Sequence, residues 1–287
     1  MKTSAFRNIS LFLVLCLAIL GSTAQSQTTP GRHQIGNESS GISESSAGLS
    51  HAEIDKVIRA FTTKETEFRH ALAEYAFQRD ALIQTIGIGG EVTGEYHRSS
   101  RFVFDDHDER FEKITFFPPP TLTEVTFTQE DLEDLGGVEP FALEASKIGQ
   151  YNFTYVGKEH IDELDTYVFD VEPKIVPKKE SERFFQGRVW VDQDDLQIVK
   201  VRGKGVPEGK QRFPVFETWR QQIDGRYWFP TYTRADDELN FPGGQTVHVR
   251  MVVRYDEYKK FRSKVKVTEV SDGDELTPQP QAPPKKP

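Results

Sequence analysis

The chain has 287 residues, a formal net charge of −9 and one cysteine. So acidic a chain repels phosphate backbones, which argues against a nucleic-acid partner. A lone Cys, placed at position 16, leaves the rest of the chain without disulfides, a cysteine-held metal or a thiol nucleophile. Stability must come from a packed core, and roughly 260 residues are enough to build one.

In chain order, Lys2 and Arg7 precede an apolar run from Ile9 to Leu20 containing one Ser, and Gly21-Ser-Thr-Ala24 follows. A basic stretch, an apolar core and a small-residue cleavage site make the layout of a secretory signal. The run is shorter than the roughly 20 residues that span a bilayer. Residues 1–24 are therefore expected to be a signal peptide, with the mature chain starting near Gln25 at a net charge of −11 once Lys2 and Arg7 are lost. Cys16 lies inside the apolar run and is followed by Leu17, so it does not read as a lipid attachment site. No later stretch is long and apolar enough for a membrane helix. Residues 25–49, rich in Ser, Gly, Thr and Gln, read as a disordered linker. Residues 271–287, with Pro278, Pro280, Pro283, Pro284 and Pro287, read as a disordered Pro-rich tail. One folded domain is expected between them, over 50–270, and no internal repeat is visible.

Ser50-His-Ala-Glu53 carries the capping-box pattern that opens a helix. Ile54, Val57, Ile58, Phe61, Phe68 and Leu72 then form one apolar stripe on a helix of up to six turns, with a possible break at Thr62-Thr63. After Tyr75 the period changes to two. Tyr151, Phe153 and Tyr155 alternate with polar residues, as do Tyr167, Phe169 and Val171, and as do Val247, Val249, Met251 and Val253. Further runs cover 77–86, 92–104, 111–117, 183–192, 197–203, 213–222 and 227–234. Turn residues separate them, Asp224-Gly225 being the strongest hairpin signal. A second short helix is expected over 128–135, capped by Thr128. The fold class is α+β and mostly β: a curved antiparallel sheet of about ten strands, an open half-barrel wrapped around a long N-terminal helix. A sheet that broad is too wide for one helix to cover, which leaves room for an apolar ligand.

Gly187-Arg-Val-Trp-Val-Asp192 followed by Leu196-Gln-Ile-Val-Lys200 resembles a hairpin of the LolA/LolB-type carriers of outer-membrane lipoproteins, and Phe216-Glu-Thr-Trp219, Asp224-Gly225 and Tyr227-Trp-Phe-Pro-Thr-Tyr232 continue the pattern. The stretch from about Tyr151 to Phe261 looks like secreted bacterial proteins described as lipoprotein-sorting-like. The resemblance implies a bent sheet wrapping helices with acyl chains held between them, and a periplasmic location in a Gram-negative bacterium. On the residues alone, Asp192 reads first as the end of a hairpin strand, and Trp190 as hairpin packing or ligand contact.

Other constellations are weaker. Asp105-Asp-His-Asp-Glu109 with His97 holds metal-ligand residue types, but the segment sits where a solvated hairpin turn belongs, and no metal is expected. Asp236, Asp237 and Glu238 alternate between faces if they lie on a strand and so do not converge as a catalytic carboxylate pair. No nucleophile elbow, zinc-protease helix or phosphate loop occurs, and neither catalysis nor a cofactor is expected. Candidate lining residues for a hydrophobic cavity are Phe102, Phe104, Tyr151, Phe153, Tyr155, Tyr167, Phe169, Trp190, Trp219 and Phe229. The expected function is an exported, non-catalytic carrier for an acyl chain or lipoprotein-like ligand. The alternative is an envelope module that holds no small molecule and offers strand edges or its Pro-rich tail to a protein partner.

Overall fold

A computed structural model of the chain describes residues 48–125, 141–178, 182–208 and 212–261. The expected signal peptide, most of the linker, the 128–135 helix and the Pro-rich tail lie outside the described residues. The helix α1 (His51–Ala73) is followed by strands β1 (Tyr75–Ile86), β2 (Val92–Phe104), β3 (Arg110–Phe116), β4 (Tyr151–Ile161), β5 (Leu164–Pro173), β6 (Phe184–Asp192), β7 (Ile198–Val206), β8 (Phe216–Ile223), β9 (Tyr227–Asn240) and β10 (Thr246–Lys260). They form one open, curved antiparallel sheet in the order β3-β2-β1-β10-β9-β8-β7-β6-β5-β4. Consecutive strands pair antiparallel from β1 to β3 and from β4 to β10, β3 and β4 lie at opposite edges, and β10 pairs with β1, with Ile83 opposite Met251.

The capping box at Ser50 is formed: the Ser50 hydroxyl accepts from the Glu53 N–H, and Glu53 accepts from the Ser50 N–H at 2.8 Å. α1 runs through Thr62-Thr63 without a break. Both hydroxyls donate to carbonyls one turn back, Thr62 to Ile58 at 2.7 Å and Thr63 to Arg59 at 2.8 Å, so they satisfy themselves inside the helix. The buried stripe is Val57, Ile58, Phe61, Thr62, Glu65, Phe68, Ala71 and Leu72. Full burial of Phe61 and Phe68 contributes on the order of 2–3 kcal/mol each.

The inner face of the sheet receives that stripe. Along β10, Val247, Val249, Met251, Val253 and Tyr255 are buried and alternate with residues of the outer face, as period two requires. Several strand limits differ from the sequence expectation, and two of the differences have a plain physical reason. β8 begins at Phe216 rather than near 213, where Pro214 cannot donate to a ladder. β9 continues to Asn240 through the acidic run, because Asp236 on the outer face pairs with His248 and Arg250 of β10. The Asp224-Gly225 turn has positive φ at both residues, 53° and 64°, and is closed by the Arg226 N–H donating to the Ile223 carbonyl at 3.1 Å, in a three-residue loop between paired Ile223 and Tyr227. The Tyr75 hydroxyl reaches across to Asp224 at 2.7 Å, and burial followed by that hydrogen bond pushes its ionisation far up.

Two ion pairs fix α1. In the core, Arg220 of β8 donates to both carboxylate oxygens of Glu65, at 2.6 and 3.1 Å, and its guanidinium lies 4.3 Å from the Phe68 ring centre. Outside, Glu144, just before a 3-10 turn (Ala145–Gln150), accepts from Arg69 of α1 and pairs with Lys147 at 3.2 Å. Burial alone raises the Glu144 carboxyl, but hydrogen bonds from Arg69 and Lys147 outweigh it and hold it below the usual value.

Two outcomes follow. Glu65→Ala leaves a buried guanidinium unpaired and should cost about 3–5 kcal/mol in urea denaturation, most of it recovered when Arg220→Met is added. A carboxyl lowered on folding stabilises above its unfolded value and loses that contribution as pH falls through the folded one. A melting-temperature deficit of roughly 2–4 °C for Glu144→Gln at neutral pH should therefore shrink progressively as pH falls below the usual carboxylate range.

Candidate functional site

α1 crosses the inner face obliquely. Phe61, in its first half, meets Phe153 of β4 at 5.7 Å and Phe169 of β5 at 5.5 Å between ring centres. Phe68, nearer its end, meets Phe229 of β9 at 5.8 Å, and Tyr75 beyond it meets the same ring at 4.8 Å. Apolar inner-face surface extends past the helix on both sides.

On the β4–β5 side, Tyr155 and Tyr167 are half-buried and in edge contact at 6.4 Å, with Phe153 half-buried beside them. Burial, then the neighbouring Tyr167, pushes the Tyr155 hydroxyl's ionisation up. Tyr151 is buried, its hydroxyl accepting from the Phe185 N–H at 3.2 Å. On the β1–β3 side, Phe102 stacks on Phe77 at 4.5 Å and Phe104 on Phe261 at 4.2 Å. Phe117, after β3, folds back over β2 to meet Tyr96 at 5.3 Å, and Ile114 lies opposite Ser100 on the same face. The backbone of Thr121 and Leu122 can settle there because Gly94 has no side chain: a Cβ would stand 2.9 Å from the Thr121 carbonyl oxygen. Phe117 and Ile114 keep 44% and 47% exposure, so this flank opens to solvent.

The ten sequence candidates thus divide. Phe102, Phe104, Tyr151, Phe153, Tyr155, Tyr167, Phe169 and Phe229 share the inner face, with Phe169 and Phe229 sealed under α1. Trp190 and Trp219 do not join them. Val189 and Val191 take the inner positions of β6, which turns Trp190 outward. There it packs on Val168 and Val199 and donates to Glu159 at 2.6 Å. Trp219 is its neighbour two strands on, the Lys200 ammonium lying 4.6 Å from one ring centre and 5.1 Å from the other. A groove of about 730 Å³ runs along this outer face past Asp170, Arg188, Trp190, Lys200, Arg202 and Glu217. Its charges satisfy one another: Arg188 grips Asp170 with two bonds, and Glu217 faces Lys200, Arg202 and Arg234.

Sequence reasoning missed a basic cluster on the open flank. Arg79 of β1, Arg98 of β2 and Glu112 of β3 all point inward, Glu112 accepting from Arg79 at 3.1 Å and from Arg98 at 2.6 Å. The signal was present: Arg79 interrupts the inner stripe Tyr75, Phe77, Ala81, Ile83, where period two calls for an apolar residue.

The other constellations resolve as local structure. The Asp105 carboxylate accepts from the N–H groups of His107 and Glu109, closing the β2–β3 turn. His97 instead contacts Asp80 at 2.9 Å on the outer face. Asp236 points outward, while Asp237 accepts from the Val215 N–H. Asp192 caps its hairpin by accepting from the Asp195 N–H at 3.0 Å, and burial raises its carboxyl. Gly187 and Gly203 face each other under the Phe185 ring, so the glycine of the recognisable hairpin is a packing requirement.

No family model matches the chain, and no curated protein does. Among solved structures it is similar to a DUF1329 family protein from Desulfovibrio piger (15% identity, TM-score 0.36, covering 74% of this chain and 94% of that one). It is also similar to a LolA superfamily protein from Nitrosomonas europaea (16%, 0.34, 73% and 94%) and to MucB (9%, 0.24, 71% and 94%), the latter also solved in complex with MucA(peri). Likenesses this distant assign neither ligand nor activity. The open antiparallel sheet with a long helix before it is the half-barrel fold class expected from the sequence. Among the described residues no helix is long and apolar enough to cross a membrane.

Gly187→Val would bring a Cβ to 2.2 Å from the Arg202 carbonyl oxygen and should cost about 3 kcal/mol by thermal denaturation. Gly243→Ala, with nothing within 4 Å, should be close to neutral. Equal effects at the two sites would remove the packing explanation of the hairpin glycine.

Proposed function

We propose that the chain is an exported, periplasmic, non-catalytic binding protein that carries a single-chain hydrophobic ligand on the inner face of its sheet. One observation carries the reading: α1 touches both edge strands, through Phe153 of β4 and Arg110 of β3, yet leaves apolar inner-face residues beside it partly uncovered. Phe153, Tyr155 and Tyr167 on one side, and Phe102, Ile114 and Phe117 on the other, keep part of their surface in water. An acyl chain laid on such a flank gains about 0.8 kcal/mol per buried CH₂, enough for one chain to supply most of the affinity.

A second reading has its own observation. β3 is an edge strand with Phe111, Ile114 and Phe116 at 46%, 47% and 50% exposure, and an unpaired edge with apolar side chains is a template for strand addition by a protein partner.

Native mass spectrometry of protein purified from its source, with titration of a fluorescent fatty acid, separates the two. The carrier reading expects co-purifying lipid, saturable probe binding, and at least about tenfold weaker binding in Phe117→Glu or Tyr155→Glu with melting temperature retained. A lipid-free mass with no probe binding sinks it. The substitution Phe111→Lys on the β3 edge supports the second reading if it abolishes a protein complex while leaving probe binding intact.

A further inference from the structure

Three buried hydrogen-bond donors on the open flank have no partner among the described residues: Nε of Arg79, Nε of Arg98 and the hydroxyl of Ser100. Arg79 is 5% exposed and Ser100 is 1% exposed. They are neighbours on one face. Arg79 and Ser100 are directly paired across β1 and β2, and Arg98 is two residues from Ser100 on the same side of β2. Buried donors are ordinarily paired, so three orphans in one place call for a physical explanation.

The cluster's charge points to the kind of acceptor that fits. Among the described residues, Arg79 and Arg98 share one carboxylate, Glu112, which takes an Nη2 from each and leaves both Nε groups and the Ser100 hydroxyl unused. A chain with a net charge of −9 thus sets two guanidinium groups into an apolar surface with a single carboxylate between them. Aromatic rings bound the spot: the Arg79 guanidinium lies 5.0 Å from the Phe102 ring centre and that of Arg98 lies 5.8 Å from Phe117. Ile114, opposite Ser100, leads from the cluster to solvent.

We propose that Arg79, Arg98 and Ser100 form the seat for an oxyanion, the carboxylate or phosphate head of an amphiphile whose chain lies along Ile114 and Phe117. An oxyanion accepts from all three orphan donors at once, and charge-assisted bonds from guanidinium are the strong ones. A neutral ester or alcohol offers fewer lone pairs and no charge. The head group fixes which end of the ligand is held, while the aromatic rim holds the tail. This assignment rests on the carrier reading for the tail but not for the oxyanion.

The test compares hexadecanoic acid, its methyl ester and inorganic phosphate on the wild-type protein, Ser100→Ala and Arg98→Gln, with near-ultraviolet circular dichroism to confirm the fold of each. The acid is expected to bind wild type at least about tenfold more tightly than the ester, and both variants should close that gap by weakening the acid alone. Equal binding of acid and ester by wild type, or a gap that survives in both variants, overturns the seat and leaves the carrier reading standing. If neither chain binds but phosphate raises the melting temperature of wild type and of neither variant, the seat holds for a free anion and the carrier reading falls. If phosphate is also without effect, both fall.

Discussion

The buried bond between Glu65 and Arg220 settles where everything else can lie. An apolar helix stripe on an apolar sheet is permissive, since Phe and Leu side chains find acceptable partners at more than one register. A carboxylate 2% exposed and a guanidinium 4% exposed are not permissive. Their desolvation cost is offset only when the two meet with good geometry, so any slide of α1 by a turn would strand both. The pair therefore acts less as a source of stability than as a pin that holds the helix between β4–β5 and β8–β9. By fixing the helix it also fixes which aromatic rings are sealed, Phe169 and Phe229, and which remain at the margin.

Much of this was legible because period and turn chemistry are local. Ser50 and Glu53 announce the helix start, Asp224-Gly225 a hairpin, and the Val and Met alternation of β10 an inner face, each from residues close in sequence. What was hidden depends on pairing across long separations. Nothing in 75–86 or 246–260 says that β1 and β10 are neighbours, and that pairing is what makes the sheet open at β3 and β4 instead of elsewhere. Trp190 was unreadable for a different reason. In Val-Trp-Val every residue is apolar, so alternation gives no inside or outside, and only the valines' contact with the main core decides it. The acidic run of β9 fell outside the strand expected over 227–234 because its neutralising partners, His248 and Arg250, come from the next strand.

Arg79 shows the converse. Its position was predictable as inward-facing, and its chemistry was wrong for the place. In a sequence otherwise consistent from level to level, such a local violation is where function or strain collects. Arg98 and Ser100 repeat the anomaly on the next strand, between Tyr96 and Phe102.

The distribution of unsatisfied charge separates the two faces. On the outer face the large groove is rich in ions, yet Asp170, Glu217 and Asp236 each sit against cations that answer them, and a ligand there would have to break pairs already made. On the inner face the core pair of Glu65 and Arg220 answers itself. The β1–β2–β3 flank differs from both, with donors left over in a setting of low dielectric, where an acceptor gains most. Burial alone points to the aromatic flanks of α1 as the place for a guest. Burial together with leftover donors singles out one flank, where the proposed oxyanion seat at Ser100 would hold the polar end of such a guest.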